Sequence, residues 1–206
     1  DAGVPVEDVA DYSEKVIKAA SDLGLNTVIY GHASVGVLHI KPALNLKTKK
    51  GTDDMAFLSR TAMKFCREYG GSWSGEHGDG VARGAQNLEF WGEDMIDLFR
   101  QVKHLFDPKE IMNPGRIIDT PEVNENLRYG TKYKVKDFQT QFHYRDFGGF
   151  GNAVEMCNGV GACRKTLSGT MCPSYMATRD EEDSTRGRAN ALRLAMTGQF
   201  GEKGLA

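Results

Sequence analysis

The chain has 206 residues, 40% of them hydrophobic and 26% charged, with a formal net charge of -2. That length allows one or two small domains, and the composition is ordinary for a soluble globular protein. The charge gives no reason to expect nucleic acid or an anionic membrane as a partner, and no apolar run is long enough to span a bilayer.

Residues 7 to 23 place Val9, Tyr12, Val16, Ile17 and Ala20 at helical spacing, and Gly24 supplies a stop. The segment is amphipathic and residue 1 is Asp, so no signal peptide is expected. Two strand-like runs follow, NTVIYGH and VLHIKPALNL, broken at Gly36. They suit a hairpin or one bent strand, because glycine permits the kink. Residues 53 to 69 return to the helical pattern with Leu58, Ala62, Phe65, Cys66 and Tyr69. Thr52 and two aspartates suit its start, and Gly70-Gly71 its end. Cys66 lies on the apolar stripe and reads as a small core residue.

After the glycine-rich stretch SGEHGDGVARG, residues 88 to 106 read as one amphipathic helix, with Trp91, Met95, Leu98, Val102 and Leu105 on its apolar face. Pro108 follows it, and IMNPGRII turns at Pro114-Gly115. This order of elements gives an α+β fold, an antiparallel sheet with helices packed on one face. Composition changes after Asp119. Residues 120 to 150, polar and aromatic, read as a connector, and residues 151 to 206 hold three of the four cysteines. In DSTRGRANALRLAMTG, Ser184 or Thr185 caps a last helix. A domain of about 55 residues buries too little surface to be secure alone, so it needs a cluster, a metal or a neighbour.

Five histidines occur in the chain, and three of them lie in two glycine-rich stretches, GHASVGVLH and SGEHGDGVARG. Two imidazoles and one carboxylate make a common Zn²⁺ ligand set with an open position. His32 and His39 are seven apart, an odd separation that puts them on opposite faces of an unbroken strand, and the break at Gly36 is what brings them together. Glu76 and His77 are adjacent and point apart on extended backbone, leaving one for a metal and the other for proton transfer. The competing reading is of loop histidines hydrogen-bonded to backbone.

Three segments in this order, YGHASVGVLHIKP, SGEHGDGVARG and LFDPKEIMNPGRI, resemble the C-terminal half of the FAD-linked D-2-hydroxyacid dehydrogenases, members of the vanillyl-alcohol-oxidase superfamily. The opening DAGVPVEDV is similar to the start of that half. The family pattern at the first motif is Gly-His-x-Gly-Asp-Gly-Asn-Leu-His. This chain keeps Gly31, His32, Gly36, Leu38 and His39, but has Ser34, Val35 and Val37 where the pattern has Gly, Asp and Asn. The resemblance implies His32, His39 and Glu76 as ligands of a divalent metal, Zn²⁺ by ligand type. It implies His77 as the base that takes the hydroxyl proton of a small D-2-hydroxy acid, with a flavin accepting the hydride. The family's FAD-binding domain precedes this half, so the chain is expected to be a fragment of a larger protein. Alone it is expected neither to hold FAD firmly nor to turn over substrate.

Cys157, Cys163 and Cys172 fall within 16 residues. Three thiols do not make a disulfide framework, and the absence of a signal points to a reducing cytosol. The segment resembles a ferredoxin-type iron–sulfur motif, Cys-x2-Cys-x2-Cys-x3-Cys-Pro, with Val160 at the middle position and Cys172-Pro173 arriving after eight residues. Cys157, Cys163 and Cys172 are therefore candidate cluster ligands, completed by a Cys-rich motif beyond residue 206. Three free thiols, or a Zn²⁺ site completed by His143, are the alternatives.

The resulting expectation has three parts: the C-terminal part of a substrate domain over 1–119, a connector over 120–150, and the start of a small, mostly helical iron–sulfur domain over 151–206. The enzyme oxidises D-lactate or D-2-hydroxyglutarate to the 2-oxo acid and passes electrons through iron–sulfur clusters to an acceptor the sequence does not identify. It is expected in the cytoplasm, or peripherally at the inner face of the membrane. The rivals are a non-enzymatic structural metal-binding module and a metal-independent flavin alcohol oxidase relative.

Overall fold

The structure is a computed structural model that describes residues 1–136, 138–169 and 171–201. Residues 202–206 of the expected third domain lie outside the described residues. The chain divides into two compact units, 1–132 and 133–206, a boundary that falls inside the segment read as a connector.

The first unit is α+β. Helix α1 (Val9–Asp22) buries Tyr12, Val16 and Ala20 on one stripe and ends at Gly24, whose φ of +76° no side chain would favour. Strands β1 (Thr27–His32) and β2 (Val37–Pro42) form an antiparallel hairpin, so the bent-strand alternative is excluded. A turn of 3-10 helix, Ala33–Val35, joins them, and Gly36 closes it in the left-handed region at φ +72°. A Cβ on Gly36 would lie 1.8 Å from the Val4 carbonyl oxygen, so only glycine fits.

Helix α2 (Lys49–Glu68) begins four residues ahead of the expected start. Thr48, in extended conformation, is the cap and accepts the Gly51 N–H at 3.1 Å. Thr52 instead donates its hydroxyl to the Lys49 carbonyl from inside the first turn. The expected single helix over 88–106 is two, α3 (Gly84–Trp91) and α4 (Glu93–Phe106). Gly92, at φ +84° and ψ 168°, leaves helical space and lets the chain restart. Glu93 and Asp94 then sit in the first turn of α4 and Lys103 and His104 in its last, both favourable to the helix dipole.

Residues 1–4 are extended. Gly3 exchanges both backbone hydrogen bonds with Ser72, at 2.9 and 2.7 Å, and Val4 N–H donates to Gly36 at 3.0 Å. Ala2 and Val4 join Tyr12, Val16, Met63, Cys66, Trp73 and Phe90 in the core. Cys66 is fully buried, and burial raises its thiol pKa to about 11, as suits an inert core residue. Residues 1–4 thereby stitch the end of the hairpin to the loop after α2.

Among the described residues, the regular elements of the second unit are all helical, with α5 (Phe150–Glu155), α6 (Pro173–Thr178) and α7 (Thr185–Met196), but loops make up more than half of it. Pro173 opens α6, where its missing N–H costs nothing. Ser184 caps α7 by accepting the Gly187 N–H at 2.8 Å. Among the described residues, no helix is long and apolar enough to cross a membrane.

Candidate metal centre

The hairpin register sets His39 opposite Tyr30 and His32 opposite Val37. Tyr30 and His32 are two apart on β1, so His32 and His39 share a face as diagonal neighbours. Their rings lie 5.7 Å apart in a T-shaped arrangement. The Glu76 carboxylate reaches both: Oε1 is 2.9 Å from His39 Nε2, and Oε2 is 3.4 Å from His32 Nε2. His77 Nε2 approaches the same Oε1 at 3.2 Å, and its ring stacks on His39 with centroids 4.9 Å apart.

The expectation that Glu76 and His77 diverge therefore fails. It assumed extended backbone, whereas this loop turns, with Gly78 at φ +76° and Gly80 at φ +55°. Gly75 makes the close approach that this needs, since a Cβ there would lie 2.9 Å from the Asp1 carbonyl oxygen and 3.0 Å from a Val37 methyl. His39 is buried between Tyr30 and His77, whereas His32 and His77 are more than half exposed. Burial is the main cause holding the His39 imidazole below its usual pKa, with Glu76 opposing. The shift favours the neutral imidazole, the form that ligates a metal.

Asp1 and Arg83 belong to this site and carried no sequence signal beyond lying in DAGVPVEDV and SGEHGDGVARG. The Asp1 carboxylate is buried and pairs with Arg83 Nη2 at 2.8 Å. Ligand atoms of Asp1, His39, Glu76 and His77 all lie within 4.8 Å of one another. Two imidazoles and a carboxylate converging around an open side fit a divalent ion of the Zn²⁺ type.

In the second unit, Cys163 and Cys172 are buried beside Tyr175, and Cys157 is half-buried. The Cys172 thiol is held below its usual pKa by the Tyr175 N–H, then by the hydroxyl and N–H of Thr185, with Arg188 adding to the effect. Arg186 donates to the Gly159 carbonyl at 3.2 Å and to Glu181 at 2.7 Å, so it braces the loop between Cys157 and Cys163. All four cysteines are free. Among the described residues, the groups whose ligand atoms converge within 4.8 Å are the Asp1 group and an acidic trio, Asp180, Glu182 and Asp183. His32, the three cysteines and the exposed His143 are in neither group.

An imidazole–carboxylate centre built on a hairpin and a glycine-rich loop, in an α+β frame, defines a class of candidate metal-assisted sites. The particular family follows from comparison. Residues 1–117 match the family of FAD linked oxidases, C-terminal domain, and the chain belongs to it. The chain is 33% identical to the D-2-hydroxyglutarate dehydrogenase of Pseudomonas putida over 94% of its own length and 19% of the relative's. The corresponding protein of Escherichia coli is 32% identical, again over 94% of this chain and 19% of the relative. The D-lactate dehydrogenase of Archaeoglobus fulgidus is 33% identical over 57% of this chain and 26% of the relative. The chain thus spans about a fifth of the length of the D-2-hydroxyglutarate dehydrogenases it matches.

Proposed function

We propose that this chain is part of an FAD-dependent D-2-hydroxyacid dehydrogenase of the D-2-hydroxyglutarate class, joining the end of its substrate domain to the start of an iron–sulfur domain. The observation that carries the reading is that the Glu76 carboxylate meets His32, His39 and His77, with His39, Glu76 and His77 inside the 4.8 Å group and His32 at its edge, 3.4 Å from Glu76. The choice of D-2-hydroxyglutarate over D-lactate is supported by the reach of the alignments. Those with D-2-hydroxyglutarate dehydrogenases cover 94% of the chain and so enter the cysteine-bearing unit, whereas the D-lactate dehydrogenase alignment covers 57%.

In this reading His32, His39 and Glu76 hold a divalent ion, which when bound supplies a Lewis acid that orients a 2-hydroxy carboxylate and eases loss of its hydroxyl proton. His77 takes that proton at its exposed imidazole. Flavin, carried by the rest of the enzyme, supplies the hydride acceptor. Buried His39, stacked on His77 and in tilted contact with Tyr30, is held in place by packing. Cys157, Cys163 and Cys172 would supply thiolates to an iron–sulfur cluster, which when bound would provide a one-electron relay. Support for this comes from Cys172, whose thiolate is favoured by N–H and O–H donors as cluster sulfurs are.

In the full-length enzyme, His77→Ala is expected to abolish flavin bleaching by D-2-hydroxyglutarate while FAD and metal stay bound. Normal flavin reduction in that variant removes the base assignment. A closed structural metal site is the second reading, favoured by the presence of His77 within the 4.8 Å group. Loss of the ion from the same variant would establish it. Iron and acid-labile sulfide analysis of Cys172→Ser against wild type tests the cluster.

A further inference from the structure

We propose that Asp1 and Arg83 form a clamp that positions the Glu76–His77 loop, with Asp1 acting as a positioning residue and not as a metal ligand. The catalytic consequence rests on the function proposed above; the clamp itself does not.

Three successive amides of the loop end on Asp1. Gly75 N–H donates to the Asp1 backbone carbonyl at 2.7 Å. Glu76 N–H and His77 N–H donate to the two carboxylate oxygens, Oδ1 and Oδ2, each at 3.3 Å. Ser74 Oγ adds a bond to Oδ2 at 3.2 Å, and Arg83 Nη2 one at 2.8 Å. Three of these donors end on Oδ2, which fills it, and one on Oδ1. The side chain is only 2% exposed, so it is held by protein donors. Asp1 lies among groups spaced for a metal, but the work its carboxylate visibly does is to hold the loop amides and Arg83.

Arg83 completes the device from the other side. While Nη2 holds Asp1, Nη1 donates to the Gly78 carbonyl at 2.9 Å. Residues 75 to 77 are thereby fixed through their amides and residue 78 through its carbonyl. A glycine-rich loop left to itself would spread over many backbone states, and its side chains would spread with it. The clamp instead throws Glu76 and His77 toward the same point. It also sets a carboxylate oxygen 3.8 Å from His77 Nδ1, on the opposite side of the ring from the nitrogen that meets Glu76. Groups of this kind, one step behind the reacting residues, hold them within the narrow geometry that proton transfer needs.

The test compares full-length wild type with Asp1→Asn, Arg83→Gln and Arg83→Lys. Asp1→Asn keeps the shape but turns an amide NH2 toward the donors, and Arg83→Lys keeps the charge but loses the fork. Hydrogen exchange, followed by mass spectrometry on peptides spanning 74–84, is expected to quicken about tenfold or more in Asp1→Asn and Arg83→Gln, the scale of a lost charge-assisted hydrogen bond. Arg83→Lys falls between them and wild type, and peptides from α1 and α2 are unchanged. Bound metal stays at the wild-type stoichiometry. The limiting rate of flavin reduction by D-2-hydroxyglutarate falls about tenfold or more with KM within about threefold, the signature of a lost orientation and not of lost binding. Unchanged exchange in the 74–84 peptides overturns the clamp, as does faster exchange spread through α1 and α2. Loss of the ion from Asp1→Asn with wild-type exchange makes Asp1 a ligand and overturns the positioning role. If wild type itself takes up no metal and its flavin is not reduced, the functional reading fails, and the exchange result still decides the clamp.

Discussion

Replacing Gly36 by alanine tests whether residues 1–4 hold the hairpin that carries both histidines. Gly36 has φ +72°, and a Cβ there lies 1.8 Å from the Val4 carbonyl oxygen. Gly24 is the matched control: its φ is +76°, yet a Cβ there meets nothing within 4 Å. Both replacements carry left-handed strain of about 1–2 kcal/mol. The stiffer unfolded chain offsets about 0.4–1 kcal/mol of it. Gly24→Ala is thus expected to cost about 1 kcal/mol. In Gly36→Ala the obstructing atom is backbone, so Val4 must retreat. That breaks the 3.0 Å bond from Val4 N–H to Gly36, worth about 1 kcal/mol. It also gives up part of the about 1.5–3 kcal/mol that a buried valine contributes, Val4 being 5% exposed. The added cost of Gly36→Ala over Gly24→Ala is about 2–3 kcal/mol, or about 30–150-fold in an opening equilibrium. Native-state hydrogen exchange of the β1 and β2 amides in the full-length protein reads this difference. Equal exchange in the two variants would refute the claim that residues 1–4 hold the hairpin.

Three further expectations follow from the packing and capping. Met63 is fully buried in the core between the helices, so Met63→Ala is expected to destabilise by about 2–5 kcal/mol, read as a fall in thermal midpoint. Ser184→Ala removes the cap of α7 and is expected to cost about 1 kcal/mol, with faster exchange confined to the first turn of that helix. Asp107 is held below the usual carboxylate pKa of 3.8 first by Lys103 and then by the Ile111 and Met112 amides. Its stabilising contribution is therefore complete above 3.8 and is lost as pH falls through the lower, folded value. Asp107→Asn is expected to melt below wild type at pH 6 and to converge with it as the pH falls below that carboxylate range. A constant gap between the two down to the lowest pH would contradict the assignment.

Local pattern made much of the first unit legible. The stripe of Tyr12, Val16 and Ala20 gave α1, and Cys66 on the stripe of α2 is a core residue, as its spacing implied. The start of α2 was misread because Lys49 and Lys50 carry no apolar period; what begins the helix is the extended backbone of Thr48 and its bond to Gly51. The single helix over 88–106 was a natural reading, since one glycine inside a helix costs only about 1 kcal/mol against alanine. Gly92 nonetheless sits where α3 and α4 must part, a decision made by what each helix packs against. The glycine-rich motifs advertised the histidines and Glu76 because such groups are rare in segments so poor in packing surface. A lone aspartate at position 1 has no such pattern around it, and its carboxylate's partners lie 73 to 82 residues away.

By itself, the sequence determined which proton-active and thiol groups the chain owns, the α+β order of its elements, and the family to which its ordered motifs belong. The first two are properties of composition, period and spacing; the third rests on the resemblance of the motifs to a known family. Only the tertiary structure decided that His32 and His39 share a face, because that depends on antiparallel register across a turn. It alone decided that Glu76 and His77 point the same way, because loop amides turned inward to a buried carboxylate. Side-chain direction in a glycine-rich loop is set by hydrogen bonds to distant groups, and those partners come together only when the chain has folded.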